Sequence, residues 1–214
     1  RIGRYLDSIG FEGAILDPFA GVGRVHLLAD SPHPRVTFGV ELEPEWAAHH
    51  PRTIVGDVMR LRELGFNPGE MDAIVTSPVY GNRMSDDHTP SPSDTSRRNT
   101  YKHTLGRDLT EGSAAVLQWG PSARKRTEYQ DFHRAAWQVV VEALAVDGLF
   151  VLNISDHIRG GRRMRVTAWH KATLAKLGIE WVDEIRVDTP RQKMGANGDV
   201  RVEYESILIG VNHG

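Results

Sequence analysis

The sequence predicts a single α/β domain in which helices flank a mostly parallel β-sheet. Short runs rich in β-branched residues alternate with segments of helical periodicity, as in strand–helix–strand units. Hydrophobic residues make up 40% of the 214-residue chain and charged residues 25%, which is typical of globular domains with a substantial core. The loop TPRQKMGANGD separates the two final strand-like segments, so we expect a C-terminal antiparallel hairpin.

The predicted elements follow one another in a regular order. Strands are expected at residues 13–16, 36–40, 53–55, 72–76, 149–154, 180–187 and 204–211. Helices are expected directly after Gly23 and at residues 44–50, 129–145 and 167–177. Gly178 follows the last of these helices, whose apolar positions recur at helical spacing and can therefore form one buried face.

Residues 84–128 interrupt this alternation. Their first part, MSDDHTPSPSDTSRRNT, is rich in Ser, Thr, Pro and Asp and is typical of a loop. Irregular segments of this length inside a compact domain are usually functional or disordered. Because the chain shows no internal repeat, we expect one domain over residues 1–214 that carries this segment as an insertion.

The composition excludes several classes of protein. The chain has no cysteine, which rules out disulfides, cysteine-ligated zinc and a cysteine nucleophile. The ten histidines are scattered without metal-like spacing, and we predict no metal site. No apolar run is long enough for a membrane helix and no signal peptide opens the chain, so we expect a cytoplasmic protein. Since the first residue is arginine, we expect the natural start to lie upstream.

Basic residues are clustered along the chain although the net charge is only −2. Clustered charge of one sign can bind a polyanion even on a nearly neutral protein, and we therefore predict nucleic-acid contacts. The candidates are Arg97, Arg98, Arg124, Lys125, Arg126, Arg159, Arg162 and Arg163. For any single cluster, a solvated surface is an equally good explanation.

The first predicted strand ends in the glycine loop ILDPFAGVGRV. Asp17 stands at the carboxyl end of the strand, and Gly21 and Gly23 allow the backbone to approach a ligand closely. A dinucleotide-binding loop would need a third glycine three positions after Gly23, but His26 stands there. Because an acid before the turn disfavours a pyrophosphate and favours a cation, S-adenosylmethionine (SAM), with its ammonium and sulfonium charges, suits this loop.

Two more acids follow the next two predicted strands. Glu41 comes directly after the second strand, where a carboxylate can accept hydrogen bonds from ribose hydroxyls. Asp57 follows the third strand, where it can accept from an adenine amino group. Each acid alone is more often a cap or a surface residue, but three acids in this order behind the glycine turn favour a cofactor site.

Two motifs about sixty residues apart resemble those of a known family. DPFAGVG resembles the cofactor motif of class I SAM-dependent methyltransferases, in the form found in bacterial and phage DNA amino-methyltransferases, and TSPVYG resembles their catalytic motif. The resemblance covers most of residues 13–154 and implies a Rossmann-like class I methyltransferase sheet. It implies SAM as cofactor and DNA as partner, adds Phe19 and Val58 to the expected cofactor contacts, and gives the insertion at 84–128 a role in target recognition.

The resemblance implies catalytic roles for Ser77, Pro78 and Tyr80. An exocyclic amine is a poor nucleophile because its lone pair is delocalised into the ring. The Ser77 hydroxyl and the Pro78 carbonyl can accept from its two N–H groups and free that lone pair, while Tyr80 stacks on a base that has left the duplex. Val79 stands where the family usually has a second proline, which makes the loop less rigid.

The resemblance implies N4-cytosine as the favoured target over N6-adenine, because family members with serine in the first position of the motif are most often similar to N4-cytosine enzymes. Methylation at C5 of cytosine is far less favoured, since that chemistry uses a cysteine nucleophile and the chain has none. Two alternatives remain: an RNA base amino-methyltransferase, and a non-catalytic homologue that binds SAM and nucleic acid. The sequence gives no indication of the oligomeric state.

Overall fold

The computed structural model describes residues 1–81, 101–119, 123–189 and 202–214, without the side chains of Lys102, His103 and Lys125. The strands of these residues are β1 Gly13–Asp17, β2 Arg35–Glu41, β3 Thr53–Val55, β4 Met71–Thr76, β5 Leu144–Ile154, β6 His157–Arg159, β7 Arg162–Met164, β8 Ile179–Asp188 and β9 Tyr204–Asn212. The α-helices are α1 Ile2–Ser8, α2 Pro44–Ala47, α3 Tyr101–Leu105, α4 Ala123–Ala143 and α5 Val166–Ala175. Short 3₁₀ helices lie at Arg24–Ala29, Val58–Arg60 and Ala114–Val116.

Seven strands form one mixed sheet in the order β3-β2-β1-β4-β5-β9-β8. The first five strands pair in parallel: β1 with β2 and β4, β2 with β3, and β4 with β5. Strand β9 is antiparallel to both β5 and β8. The mostly parallel sheet and the antiparallel C-terminal hairpin predicted from the sequence are therefore confirmed.

The central strands are buried on both faces, which explains their continuous apolar sequence. On β1, Leu16 packs into the larger core cluster together with Trp137 of α4. The preceding residue, Ile15, points to the opposite face and packs against Leu6 of α1. Helices α4 and α5 thus contribute to the core on one face of the sheet, and α1 covers the other.

Several elements escaped prediction from the sequence because they are short, among them α1, α3 and the strands β6 and β7. Helix α1 has seven residues, of which only Leu6 is buried, so it offers no periodic pattern. Strands β6 and β7 have three residues each and form a separate hairpin. Their connection is Gly160–Gly161, with φ of 56° and 70°, the conformation that a two-residue hairpin turn requires.

Within the described residues, none of the helices combines the length and the apolar character needed to cross a bilayer.

Candidate active site

The predicted site residues lie at the carboxyl edge of the sheet. Asp17 ends β1 and Glu41 ends β2, while Asp57 and Ser77 follow β3 and β4. The chain runs from β1 outward to β2 and β3 and then returns to the other side of β1 as β4. The edge between β1 and β4 is thus a topological switch point, where ligands of open α/β sheets bind.

A cavity of about 300 Å³ opens at this switch point. The predicted site residues that line it are Asp17, Phe19, Gly21, Glu41, Asp57, Val58 and Ser77. Of the two glycines of the predicted loop, Gly21 lines the cavity, whereas Gly23 lies directly before the 3₁₀ helix Arg24–Ala29 and has φ of 77°. The structure thus brings together residues from four strand ends, as the sequence led us to expect.

Asp17 is a buried carboxylate at the floor of this cavity, 8% exposed. Its Oδ1 accepts from the Phe19 backbone N–H at 3.0 Å and from the Thr76 hydroxyl at 2.7 Å. Burial raises the pKa of Asp17 to about 7, against the lowering effect of these two hydrogen bonds. Both of these bonds go to Oδ1, so Oδ2 is the oxygen left to meet a cationic ligand.

Glu41 joins the glycine loop to the end of β2. Its two oxygens accept from the backbone N–H groups of Gly21 at 2.8 Å and Glu43 at 2.9 Å. Burial raises the pKa of the Glu41 carboxyl, and the nearby Glu43 charge adds to that rise. The Asp57 carboxylate has a more local structural role, because its Oδ1 accepts from the Met59 N–H at 2.9 Å and caps the 3₁₀ helix Val58–Arg60.

The predicted catalytic loop follows β4 and forms a polar cluster beside the cavity. Pro78 is buried, whereas Ser77 is exposed and its Oγ lies 2.9 Å from the Tyr80 hydroxyl. The Asn153 amide on β5 donates to Tyr80 at 3.1 Å, to Ser77 at 3.4 Å and to the Glu205 carboxylate at 3.2 Å. Because a carboxylate can only accept a hydrogen bond, the Asn153 atom that faces Glu205 must be the amide nitrogen and not the amide oxygen.

The segment 101–119 forms a wall of the cavity, through residues that include Tyr101 and Ser113. This segment belongs to the insertion for which the resemblance implied a role in target recognition. Arg107 donates to Glu43 at 2.8 Å and to Glu45 at 2.5 Å, and holds the pKa of Glu45 down at about 2. The wall is therefore fastened to the strand–helix connection that follows Glu41.

Glu43 is the buried anchor of this wall, 1% exposed. Besides Arg107, it accepts from the backbone N–H and the hydroxyl of Thr110, at 2.9 and 2.8 Å. These three hydrogen bonds join residues more than sixty positions apart in the chain.

We expect Glu43→Ala to lower the free energy of unfolding by about 2 kcal/mol, because it leaves the Thr110 N–H and hydroxyl without this acceptor, while Arg107 keeps its bonds to Glu45. The matched control is Glu128→Ala, which breaks the exposed pair with Arg124 and should change stability by about 0.5 kcal/mol or less. Urea denaturation of both variants measures the difference. Equal losses in the two variants would show that Glu43 does not anchor the wall.

The predicted nucleic-acid contacts have different surroundings. Arg124 and Arg126 are exposed on the first turns of α4, and Arg162 is exposed on β7. Arg159 donates to Gln118 at 2.6 Å, while Arg163 donates to Asp156 and to the Tyr204 hydroxyl, each at 2.8 Å. Arg97, Arg98 and the Lys125 side chain lie outside the described residues.

Sequence reasoning missed several polar residues of the site, among them Arg24 and Asn153. Arg24 lines the cavity and brings a positive charge to a space that Asp17, Glu41 and Asp57 line with carboxylates. It directly follows Gly23 in the glycine loop, so its position could have been noticed. Asn153 lies near the carboxyl end of β5, and the rule that located the acids at the ends of other strands applies to it equally.

Among the described residues, no group of three or more histidine, aspartate or glutamate side chains is arranged to hold a metal ion.

Comparison with known proteins establishes the fold and nothing finer. The sequence matches no protein-family model and no curated protein sequence. Among solved structures, the chain is similar to a TehB-like SAM-dependent methyltransferase from Corynebacterium glutamicum, at 17% identity over 98% of this chain and 86% of that one, with a TM-score of 0.51.

Two further structures have the same architecture. A methyltransferase from Burkholderia thailandensis, bound to 1,6-didemethyltoxoflavin and S-adenosylhomocysteine, has 16% identity over 99% of this chain and 76% of that one, with a TM-score of 0.53. A proposed SAM-dependent methyltransferase from Listeria monocytogenes has 10% identity over 100% and 96% of the two chains, with a TM-score of 0.54. The predicted class I methyltransferase-like fold is thus confirmed.

Proposed function

We propose that this chain binds SAM and methylates the exocyclic amino group of a base flipped out of DNA, with N4 of cytosine favoured over N6 of adenine. One observation carries the proposal: Ser77 belongs both to the wall of the cavity and to the polar cluster of the catalytic loop. A methyl donor bound in the cavity would therefore lie next to an amine that is held by Ser77. The Burkholderia protein with this fold binds S-adenosylhomocysteine, which supports the choice of cofactor.

The residues of the cavity fit SAM in size and charge. Its volume of about 300 Å³ lies at the lower end of the range for small-molecule sites. Asp17 would face the ammonium group, Glu41 the ribose hydroxyls and Asp57 the adenine amino group. Arg24 would face the carboxylate of the methionine part, and Phe19 and Val58 supply apolar walls. Bound in this way, SAM supplies an electrophilic methyl group on its sulfonium.

The protein's own contribution to the reaction is to prepare the amine. When the Ser77 Oγ and the Pro78 carbonyl accept from the two N–H groups, the amine nitrogen becomes more tetrahedral and its lone pair is available. That lone pair forms the new nitrogen–carbon bond, the electrons of the broken carbon–sulfur bond remain on sulfur, and a proton leaves the methylated amine to solvent. Because positive charge develops on the amine, both acceptors stabilise the transition state more than the ground state.

In the structure, the Tyr80 hydroxyl occupies one hydrogen-bonding position of the Ser77 Oγ. We propose that the Tyr80 hydroxyl gives up this bond when a base binds, so that the ring can stack on the base. Asn153 contacts both side chains and can keep them close during this exchange.

A nucleic acid is supported as the partner by exposed cations on two elements, and DNA by the resemblance of TSPVYG to the catalytic motif of DNA amino-methyltransferases. Arg124 and Arg126 on α4 and Arg162 on β7 can contact nucleic-acid phosphates. A fold of this class serves small-molecule substrates as well, and RNA presents the same phosphates, so the acceptor is identified by assay. Transfer of a tritiated methyl group from SAM should label DNA more strongly than RNA or protein. Labelling of RNA alone would support the RNA alternative, and SAM binding without transfer to any of the three would support the non-catalytic one.

The raised pKa of Asp17 predicts that SAM binds more tightly as the pH rises toward neutrality. With a pKa of about 7, Asp17 is largely protonated in mildly acidic solution, and pairing with the SAM ammonium must first remove that proton. The association constant should therefore fall by up to about tenfold per pH unit below 7. Calorimetry at about pH 5.5 and about pH 7.5 measures this, and equal affinities would contradict the ionic role of Asp17.

A further inference from the structure

A chain of buried hydrogen bonds runs from the helices to the catalytic loop. The Trp137 indole N–H on α4 donates to Nδ1 of His170 on α5 at 2.9 Å. Nε2 of His170 lies 2.9 Å from the Tyr129 hydroxyl on α4, which donates to the Val79 carbonyl at 2.7 Å. Trp137, His170 and Tyr129 are each fully buried.

The direction of every bond in this chain is determined. An indole N–H can only donate, so Nδ1 of His170 must accept, and the proton of the neutral ring is therefore on Nε2. The Tyr129 hydroxyl has one proton, which it donates to the Val79 carbonyl, so Tyr129 accepts from His170 Nε2–H. The opposite tautomer would set two N–H groups against each other and leave Val79 without its donor.

Both titratable members of the chain remain neutral. Burial lowers the pKa of His170 well below its ordinary value, and the neighbouring His133 lowers it further. Burial raises the pKa of Tyr129 well above its ordinary value, and Tyr80 adds to that rise. The orientation of the chain is consequently the same across the pH range in which the protein would work.

The chain ends at the peptide that joins Val79 to Tyr80, and the carbonyl of Gly81, the residue after Tyr80, is held as well. The Trp119 backbone N–H donates to the Gly81 carbonyl at 3.0 Å. A Cβ at Gly81, where φ is 65°, would lie 2.6 Å from that nitrogen, so the contact requires glycine. Tyr80 is therefore fixed on both sides by groups far away in the sequence.

We propose that Tyr129 and His170 are positioning residues for the proposed methyl transfer, and that they orient Tyr80 by holding the Val79 carbonyl. This inference rests on the function proposed above. Val79 replaces a proline ring that would itself restrict the loop, and the buried chain supplies that restraint from the core side. Apolar side chains would fill the same volume, so the buried polar groups serve the loop rather than the packing.

Tyr129→Phe keeps the ring and removes the hydroxyl that donates to Val79 and accepts from His170 Nε2–H. We expect kcat for methyl transfer to fall by about 10- to 100-fold, because the Tyr80 ring is misplaced, while the Kd for SAM stays within about twofold of that of the unchanged protein. The control is Leu174→Val, a fully buried position on α5 whose apolar side chain makes no hydrogen bond to the loop. A Tyr129→Phe variant with unchanged kcat, or with a loss matched by Leu174→Val at equal stability, would overturn the proposal.

Val79→Pro separates positioning from support of the fold. A proline at this position restrains the loop directly, so Tyr129→Phe should lose less kcat in the Val79→Pro background than alone. If Tyr129 only supported the core, its loss would be the same in both backgrounds, and the proposal would fail. Should Tyr129→Phe not fold, Trp137→Phe, which removes the first donor, takes its place in the same comparison.

Two measurements are independent of methyl transfer and separate this proposal from the proposed function. Imidazole ¹⁵N shifts should show His170 as the neutral Nε2–H tautomer, and the opposite tautomer or a protonated ring would overturn the chain. Amide hydrogen exchange at residues 79–81 should speed up in Tyr129→Phe and not in Leu174→Val. If both hold but the unchanged protein methylates no acceptor, the proposed function is wrong while the restraint on the loop stands.

Discussion

Ser77→Ala should lower kcat for methyl transfer by about 100- to 1,000-fold, the loss expected when one hydrogen-bonding group aimed at the developing charge is removed. The hydroxyl lies on the wall of the cavity and is the side-chain acceptor proposed for the target amine. The variant should still bind SAM with little change, because the carboxylates at Asp17 and Glu41 are untouched. Calorimetry with SAM and single-turnover transfer to DNA together measure the two effects.

The Tyr80 variants serve as the matched controls. Tyr80→Phe removes the hydroxyl that contacts Ser77 and keeps the ring, so it should retain transfer activity. Tyr80→Ala removes the ring, and the loss of base stacking should weaken transfer by about 10- to 100-fold. Full activity in Ser77→Ala, or equal losses in Tyr80→Phe and Tyr80→Ala, would show that the loop does not act as proposed.

Asp17→Asn should weaken SAM binding by about 100-fold and at the same time make the ligand-free protein more stable above neutral pH. An asparagine oxygen can still accept from Phe19 and Thr76, so the turn is retained, but the charge that faces the ammonium is lost. The gain in stability follows from the pKa of about 7, because ionisation of this buried carboxyl is unfavourable in the fold.

The Asp17 carboxyl is a weaker acid in the folded protein than in the unfolded chain. The unfolded chain loses this proton near pH 3.8 and the folded protein near pH 7, so between these values the folded state binds more protons. The stability of the unchanged protein therefore falls as the pH rises through this window, and the asparagine variant should lack that decrease. Thermal unfolding at about pH 5 and about pH 8 tests this, and a variant less stable than the unchanged protein at the higher pH would contradict it.

Much of the fold and of the cavity could be predicted because their signals are local. Strand β4 contains the apolar run at residues 73–75, which is buried on both faces, and the turn residues follow soon after it. The acids at positions 17, 41 and 57 were located by one rule, that the ends of parallel strands meet at one edge of the sheet. The same rule would have found Asn153 if it had been applied to every strand.

The remaining features depend on contacts that no local pattern encodes. The Tyr129 hydroxyl reaches a carbonyl fifty residues away, and His170 completes the chain from a third element. Arg107 resembles any other basic residue of the insertion until its partners, Glu43 and Glu45, are brought beside it by the fold. Arg163 likewise joins the Asp156 carboxylate, which also caps the start of α5 through the Thr167 N–H at 2.8 Å.

The identity of the methylated product tests the proposed reaction most directly. DNA would be incubated with the protein and SAM carrying a deuterated methyl group, digested to nucleosides and analysed by mass spectrometry. We expect label on an exocyclic amine, as N4-methyldeoxycytidine in preference to N6-methyldeoxyadenosine, and its loss in Ser77→Ala. Label at C5 of cytosine, or unlabelled DNA from protein that binds SAM, would contradict the proposed amino-methyl transfer.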